Sequence, residues 1–167
     1  MRFPLLPTYI LPALTDITPA FLSEEGIDLL IMDFDNTIVP YTTSEPAPVM
    51  EEWIRSLPKL GIPFCVVSNS RKPRVVRFCS QYSIPVFTNA KKPFTKGIRQ
   101  ALAAYPDSVC PALVGDQIYT DVLGAGLAGI RSVLITPIHL HKWYLRLRHW
   151  VEIPWIQMKK CIIRRRR

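Results

Sequence analysis

No apolar run in this sequence reaches the roughly 18 residues that a membrane-spanning helix needs. The apolar N-terminal stretch is broken by Pro4, Pro7 and Pro12 and has no small-residue cleavage site, so we expect no signal peptide. Glycine is scarce, with 7 residues in 167, while 49% of the residues are apolar, which excludes a disordered chain. We therefore predict one domain with a sizeable core.

Cysteine and histidine are also rare, with four and three residues. No two cysteines form a C-x-x-C pair, and two of them lie in or beside apolar runs, which indicates buried reduced thiols and a reducing compartment. The histidines are not spaced with the acidic residues, so we expect no zinc site. The residues concerned are Cys65, Cys79, Cys110, Cys161, His139, His141 and His149.

Acidic residues are almost absent from the C-terminal end. Residues 1–138 contain 12 Lys and Arg and 12 Asp and Glu, a net charge of zero, whereas residues 139–167 contain nine basic residues and one acid, Glu152. The whole excess of +8 therefore lies in this tail. A neutral body argues against a broad nucleic-acid footprint, so we do not expect nucleic acid as a partner.

Short apolar runs alternate with segments of helical character. The runs are nearly continuous rather than alternating, which predicts parallel strands buried on both faces and a three-layer, Rossmann-like α/β fold. The first helical segment has Val49, Trp53 and Leu57 spaced four apart, as on one helix face. The predicted strands are 27–34, 62–69, 84–87, 110–116 and 130–136, and the predicted helices lie within 47–61, 72–83, 94–106 and 118–129.

The stretch "LLIMDFDNTIVP" places two carboxylates, Asp33 and Asp35, at the end of a buried run. Side chains two apart on a strand point to the same face, and two like charges side by side repel each other. A core strand has no use for such a pair. A site that binds a cation or a phosphoryl group does have a use for it.

Other polar groups follow the remaining strands. The segment 68–70 (Ser-Asn-Ser) ends the second run, Asp116 ends the fourth with Asp121 five residues later, and Lys91 and Lys92 follow the third. In an open parallel sheet, ligands bind beyond the carboxyl ends of the strands. Carboxylates suit Mg²⁺, hydroxyl and backbone N–H groups suit phosphate oxygens, and an ammonium group suits developing negative charge.

Four short motifs occur in order: "DFDNT", "VVSNS", the lysine of "KKP", and "GDQIYTD". In order and spacing they resemble the four motifs of the haloacid dehalogenase (HAD) phosphatase superfamily, over roughly residues 27–136. The resemblance implies that Asp33 is the nucleophile that forms an aspartyl-phosphate and that Asp35 is the general acid and base. A carboxylate at Asp35 fits a phosphatase, because the ATPases of the superfamily carry Thr there.

The resemblance also implies a Mg²⁺ ion held by Asp33, the backbone carbonyl of Asp35, and Asp116. Asp121 would support the metal shell or orient the lysine. That lysine is Lys92, with Lys91 as the alternative. The residues implied to bind the phosphate or substrate are Ser68, Asn69 and Thr37.

Motif spacing leaves no room for a cap domain, which many relatives insert. About thirty residues separate Thr37 from Ser68, and about twenty separate Ser70 from Lys91, whereas an independent domain needs roughly 50. We therefore expect a capless domain at residues 1–137, with an N-terminal lead-in at about 1–26. An open site suits a large or surface-bound phosphomonoester.

Within the superfamily the chain most resembles the YqeG-type branch, through the lead-in, "DFDNTIVP" and "NAKKPFTKGIRQAL". The branch includes phosphatidylglycerophosphate phosphatases, so the resemblance implies a phospholipid monoester substrate and a cytoplasmic protein at the inner face of the membrane. One alternative is a phosphatase of a soluble substrate such as a nucleotide, sugar phosphate or phosphoprotein. The other is a non-catalytic scaffold that binds RNA or membrane through its tail.

The tail, residues 138–167, interleaves tryptophan and tyrosine with basic residues and ends in four arginines. On a helix its apolar side chains would share a stripe, with cations elsewhere, as an interfacial helix on anionic lipid requires. The alternative is a packed aromatic helix followed by a solvated charge run. The stripe consists of Leu140, Trp143, Tyr144, Leu147 and Trp150.

Overall fold

The computed structural model of the protein describes residues 3–43, 45–138 and 154–158. Within these ranges the strands are β1 (Tyr9–Leu11), β2 (Leu29–Met32), β3 (Phe64–Val67), β4 (Val86–Phe87), β5 (Pro111–Gly115) and β6 (Arg131–Ile135). The α-helices are α1 (Pro19–Glu24), α2 (Pro48–Ser56), α3 (Pro73–Gln81), α4 (Lys96–Ala103) and α5 (Leu123–Ala128). Turns of 3₁₀ helix lie at Leu14–Asp16 and Leu57–Leu60, and a π-helical turn at Ile118–Val122 leads into α5.

The strands form one parallel sheet in the order β1-β6-β5-β2-β3-β4. The predicted α/β fold with a central parallel sheet is confirmed, and the five predicted strands correspond to β2 to β6. The chain runs from β2 outward through β3 to β4, then returns to the other side of β2 for β5 and β6. This reversal makes the carboxyl end of β2 the switch point at which ligands bind in such sheets.

Alternate residues of β2 face opposite layers of the molecule. Leu30 and Met32 belong to a cluster covered by α1, α2 and α3, whereas Leu29 and Ile31 belong to a second cluster under α4 and α5. Both faces of the strand are therefore buried, which explains its unbroken apolar sequence. The helix residues in the two clusters include Leu22, Trp53, Phe78, Ile98, Ala101 and Ala125.

The N-terminal lead-in contains a strand and a helix that the sequence analysis does not predict. The strand β1 has only three residues and joins the edge of the sheet beside β6. The amide of Thr8 donates to Ser132 Oγ and the amide of Ser132 donates to Thr8 Oγ1, both at 3.1 Å. So short a strand carries little local signal, because its position depends on this pairing with a residue 124 positions away.

The buried face of α2 is not the one that the spacing of Val49, Trp53 and Leu57 indicates. Val49 is 68% exposed, and Met50 takes its place in the core beside Trp53 and Leu57. Met50 lies in the same first turn of the helix, which begins at Pro48, so the buried face there is shifted by one residue from the four-residue spacing.

No cap interrupts the described part of the domain. Only α2 and a 3₁₀ turn separate β2 from β3, and only α3 separates β3 from β4. The predicted absence of a cap is confirmed, and the carboxyl edge of the sheet is not covered by an inserted domain.

Among the described residues, no helix combines the length and the apolarity needed to cross a membrane. Cys65 and Cys79 are buried free thiols, and burial raises the pKa of each to about 12. Burial is as expected for Cys65, whereas Cys110, also beside an apolar run, is a free thiol that is only partly buried. The predicted interfacial stripe of the tail lies outside the described residues. In the helical turn at 154–158, Trp155 and Ile156 pack against a small cluster that includes Leu134. The division of the chain at residue 137 stays a prediction.

Asp28 fastens the loop before β5 to the start of β2. Its carboxylate accepts hydrogen bonds from Ser108 Oγ at 2.6 Å, Val109 N at 2.7 Å and Cys110 N at 3.0 Å. Burial acts to raise the pKa of Asp28, but these hydrogen bonds outweigh it and hold the pKa below the usual value.

We predict that Asp28→Asn lowers the free energy of unfolding by about 1–3 kcal/mol at neutral pH, because an amide cannot accept the same bonds. Since the folded-state pKa is lowered, this stabilisation is present above the unfolded pKa of about 3.9 and is lost as the pH falls through the folded value. Urea unfolding across acidic pH measures the loss, with the exposed neighbour Asp107→Asn as control. A difference in the free energy of unfolding between wild type and Asp28→Asn that does not shrink in acid would contradict this interpretation.

Candidate active site

Backbone pairing brings the two principal acidic motifs together. Asp33 follows β2 and Asp116 follows β5, and Met32 lies opposite Val114 in the paired strands. The amide of Asp33 also donates to Val114 O at 2.8 Å, which extends the pairing by one residue. The two carboxylates therefore meet at the carboxyl edge because their strands are direct neighbours.

A tight turn follows Asp33. Asn36 adopts a left-handed backbone with φ of 62°, its amide donates to Val39 O at 2.8 Å, and its side-chain oxygen accepts from Tyr41 N at 3.1 Å. Asparagine tolerates this conformation better than most residues. The turn fully buries Thr37, whose hydroxyl has no hydrogen-bond partner among the described residues. A buried hydroxyl of this kind is costly unless a ligand satisfies it, as its predicted role in binding substrate would require.

Lys92 is the buried cation of the site. Its Nζ lies 2.6 Å from Asp33 Oδ1 and 2.7 Å from Asp121 Oδ1. Lys91, the alternative, is exposed and adopts a left-handed backbone with φ of 57°. The geometry therefore places the ammonium group of Lys92, and not that of Lys91, between the acidic motifs.

Asn69 holds the backbone of Lys92 in place. The side-chain nitrogen of Asn69 donates to Lys92 O at 2.9 Å, and its side-chain oxygen accepts from Lys92 N at 2.6 Å. Ser68 is fully buried, and its Oγ accepts from Ser70 N at 3.1 Å. Phosphate binding by Ser68 and Asn69 stays a prediction, whereas the position of Lys92 depends directly on Asn69.

The electrostatics of the site follow from burial. Burial raises the pKa of Asp33 to about 7, with Asp121 and Asp35 adding to the rise and Lys92 opposing it. Burial alone would lower the pKa of Lys92, but Asp121 and Asp33 outweigh it and raise the pKa above its ordinary value. Lys92 is therefore charged at neutral pH, and Asp33 depends on nearby positive charge to ionise.

Three buried carboxylates, those of Asp33, Asp116 and Asp121, each offer an oxygen within 4.8 Å of the others. With Lys92 beside them, the ionised group would carry a net charge of about −2. All donors are hard oxygen atoms, which is the ligand chemistry of Mg²⁺ and similar divalent cations. The residues present therefore fit a divalent metal, which would balance the charge that Lys92 leaves uncompensated. The Asp35 side chain is not part of this cluster; its expected contribution is its backbone carbonyl.

Gly115 makes room for Asp121. A Cβ atom at Gly115 would lie 2.3 Å from Asp121 Cγ, well inside the limit for such contacts. Asp121 Oδ2 then accepts from Gln117 N and Thr120 Oγ1, both at 3.2 Å. The glycine of "GDQIYTD" is therefore needed because the carboxylate packs directly on its backbone.

Arg74 is a site residue that the sequence analysis misses. Its guanidinium forms a short ion pair with Asp35 Oδ1, donates to the carbonyls of Pro40 and Thr43, and lies 5.3 Å from the centre of the Phe34 ring. The sequence "RKPR" could have indicated a cation at the site, because Pro73 begins a helix and Arg74 lies in its first turn, at the carboxyl edge of β3. Its pairing with Asp35, 39 positions away, could not be read from that signal.

We predict that Lys92→Met lowers the free energy of unfolding by about 3–5 kcal/mol, because it leaves two buried carboxylates without their cation. Urea unfolding without added metal measures the change. Lys91→Met is the matched control and should stay within about 0.5 kcal/mol of wild type. Equal stability of the two variants would show that Lys92 is not the compensating charge.

Comparisons with known proteins agree with this geometry. A family model described as HAD-hydrolase-like matches residues 89–137. Over 137 residues the chain is 32% identical to the probable phosphatase YqeG of Bacillus subtilis (strain 168), covering 80% of this chain and 78% of that protein. A solved structure from Vibrio cholerae, assigned as a 3-deoxy-D-manno-octulosonate 8-phosphate phosphatase, shares the fold with a TM-score of 0.54 and 13% identity, covering 78% of this chain and 76% of the other. The chain belongs to the YqeG-like phosphatases of the HAD superfamily.

Proposed function

We propose that the chain is a Mg²⁺-dependent phosphomonoesterase that forms an aspartyl-phosphate on Asp33 and acts on phosphatidylglycerophosphate at a membrane surface. The observation that carries the proposal is the contact of Lys92 Nζ with Asp33 and Asp121, in a group of three carboxylates. This contact supports the proposal because the proposed nucleophile, the cation and the proposed metal ligands would then act at one point. Phosphoryl transfer depends mainly on such positioning and charge stabilisation.

In the first half of the reaction, an Asp33 oxygen attacks phosphorus and the bond from phosphorus to the leaving oxygen breaks. Lys92 binds Oδ1 of Asp33, which leaves Oδ2 as the attacking atom. Asp35 donates a proton to the leaving oxygen, which departs as an alcohol. A Mg²⁺ ion held by Asp33, Asp116 and the Asp35 carbonyl, when bound, would supply positive charge to the phosphate oxygens.

In the second half, Asp35 accepts a proton from water as the water attacks the aspartyl-phosphate. The bond from phosphorus to Asp33 breaks, which releases inorganic phosphate and restores the carboxylate. Arg74 holds Oδ1 of Asp35. The Asp35 oxygen that exchanges the proton is therefore Oδ2.

Two features support a lipid substrate. The described domain carries no cap, so a headgroup attached to a bilayer could reach Asp33 without a lid having to open. The resemblance to the branch that contains phosphatidylglycerophosphate phosphatases points to the same class of phosphomonoester. A soluble phosphate ester remains the competing substrate.

The chemistry is tested with a chromogenic phosphate ester. We expect turnover that requires Mg²⁺, stops with a chelator and falls at least about a thousandfold in Asp33→Asn, because the amide keeps the shape but loses the nucleophile. Asp107→Asn makes the same chemical change at an exposed position and should leave the rate unchanged. Turnover that survives in Asp33→Asn would reject the aspartyl-phosphate. No turnover by wild type on any phosphomonoester would favour a scaffold.

The substrate is tested by comparing phosphatidylglycerophosphate in mixed micelles with a panel of nucleotides, sugar phosphates and a phosphopeptide. We expect kcat/KM for the lipid to exceed that for every soluble ester by at least about tenfold, a difference of about 1.4 kcal/mol. A soluble ester that matches or exceeds the lipid would assign the same catalytic group to a soluble substrate.

Arg74 is expected to act as a positioning residue. We predict that Arg74→Ala lowers kcat about 10- to 100-fold with little change in KM, because Asp35 loses the contact that orients it. Arg74→Lys should recover only part of the rate, since an ammonium group cannot bond Asp35 and two carbonyls in one plane. The exposed Arg77→Ala on the same helix is the control. A rise in KM at constant kcat would instead assign Arg74 to substrate binding.

A further inference from the structure

The zero net charge of residues 1–138 conceals a strong separation of charge along the chain. Residues 53–106 contain ten Lys and Arg and no Asp or Glu. This segment forms the side of the molecule built from β3, α3, β4 and α4. The acids that balance it lie before residue 53 and after residue 106, and several of them are buried in the active site.

Part of this positive charge surrounds the mouth of the active site. The loops that follow β2, β3 and β4 all lie at the carboxyl edge of the parallel sheet, beside Asp33. We call their exposed basic and aromatic side chains the cationic rim. The cationic rim consists of Arg71, Lys72 and Lys91, Lys96 at the first position of α4, and the aromatic residues Tyr41 and Phe94.

Contacts between the loops hold the cationic rim together. Lys72 Nζ lies 5.5 Å from the centre of the Tyr41 ring, which connects the loops after β2 and β3. Arg71 Nε donates to Asn89 Oδ1 at 3.0 Å, and the amide of Asn89 donates to Ser70 O at 3.2 Å, which connects the loops after β3 and β4. These contacts make the cationic rim one surface, and its cations all come from the acid-free segment 53–106, whereas the loop after β2 also carries the exposed Glu45.

Phe94 gives this surface an apolar element. Its side chain is 72% exposed two residues after Lys92, although the ring has no polar atom that would favour water. Tyr41, on another loop, is 40% exposed and is amphipathic. Exposed aromatic rings among lysine and arginine side chains suit the interface of an anionic bilayer, where the rings enter the acyl boundary and the cations contact the headgroups.

We propose that the cationic rim docks the protein onto an anionic lipid surface, with Phe94 inserted, so that the active site opens toward the headgroups. The proposal rests on the proposed function, because it names the surface from which the phosphomonoester enters. It assigns membrane contact to the catalytic edge of the domain and not to the C-terminal tail alone. A nucleic acid would also meet the positive charge, but stacking along a strand needs a run of rings, and the rim offers two on separate loops.

Sedimentation of the full chain with lipid vesicles tests the docking. The variants are Lys72→Glu with Lys96→Glu, and Phe94→Ser alone. The matched control is Lys59→Glu with Arg77→Glu, which reverses two exposed charges away from the rim. The vesicles contain phosphatidylglycerol and phosphatidylcholine in equal parts, or phosphatidylcholine alone. All proteins keep the tail, so differences between variants report the rim.

We expect the double rim variant to bind anionic vesicles at least about tenfold more weakly than wild type, and the control at most about threefold. Phe94→Ser should bind anionic vesicles at least about threefold more weakly than wild type. Its turnover of a soluble chromogenic ester should stay within about twofold of wild type. Wild-type binding should weaken in high salt. Vesicle binding requires no turnover, so a failure of the catalytic proposal would be seen separately.

Three results would overturn the proposal. The first is wild-type protein that does not sediment with anionic vesicles. The second is a double rim variant that binds as tightly as the Lys59 and Arg77 control. The third is a double rim variant that binds vesicles as wild type does but no longer binds a single-stranded RNA oligonucleotide that wild type binds. This result would assign the rim to a nucleic acid.

Discussion

The buried ammonium group of Lys92 is the interaction on which the site depends. It lies 2.6 Å from Asp33 and 2.7 Å from Asp121, residues that follow two different strands and would otherwise be buried charges of the same sign. Separating such charges from water costs several kcal/mol each unless they are paired. The pairing therefore allows the fold to keep acidic side chains at the switch point of its sheet, where a phosphate group can reach them.

The residues around Lys92 hold this arrangement in place. Asn69 uses both polar atoms of its side-chain amide to hold the Lys92 backbone. Gly115 has no side chain, which leaves the space in which Asp121 packs on the strand. Arg74 fixes the side chain of Asp35 through an ion pair. The contacts of Asn69 and Arg74 join segments that are distant in sequence, so the residues of the site are expected to be strongly coupled.

The sequence was sufficient to predict the sheet and the positions of the acidic groups, because buried parallel strands are apolar throughout and their polar ends must lie at one edge. It was insufficient where a contact between residues distant in sequence determines the local structure. The strand β1 is too short to predict without its pairing to β6, and the four-residue spacing did not show that Met50, and not Val49, is the buried residue of the first turn of α2. The pairing of Arg74 with Asp35 was missed for the same reason, since charge alone does not identify a partner 39 positions away.

A crystal structure grown with Mg²⁺ and beryllium trifluoride, which imitates a phosphoryl group on a carboxylate, tests the central claim most directly. We predict beryllium bonded to an Asp33 oxygen, Lys92 in contact with a fluoride, and the metal bound by Asp33 and Asp116. Beryllium on another residue, or a metal bound away from these carboxylates, would contradict it.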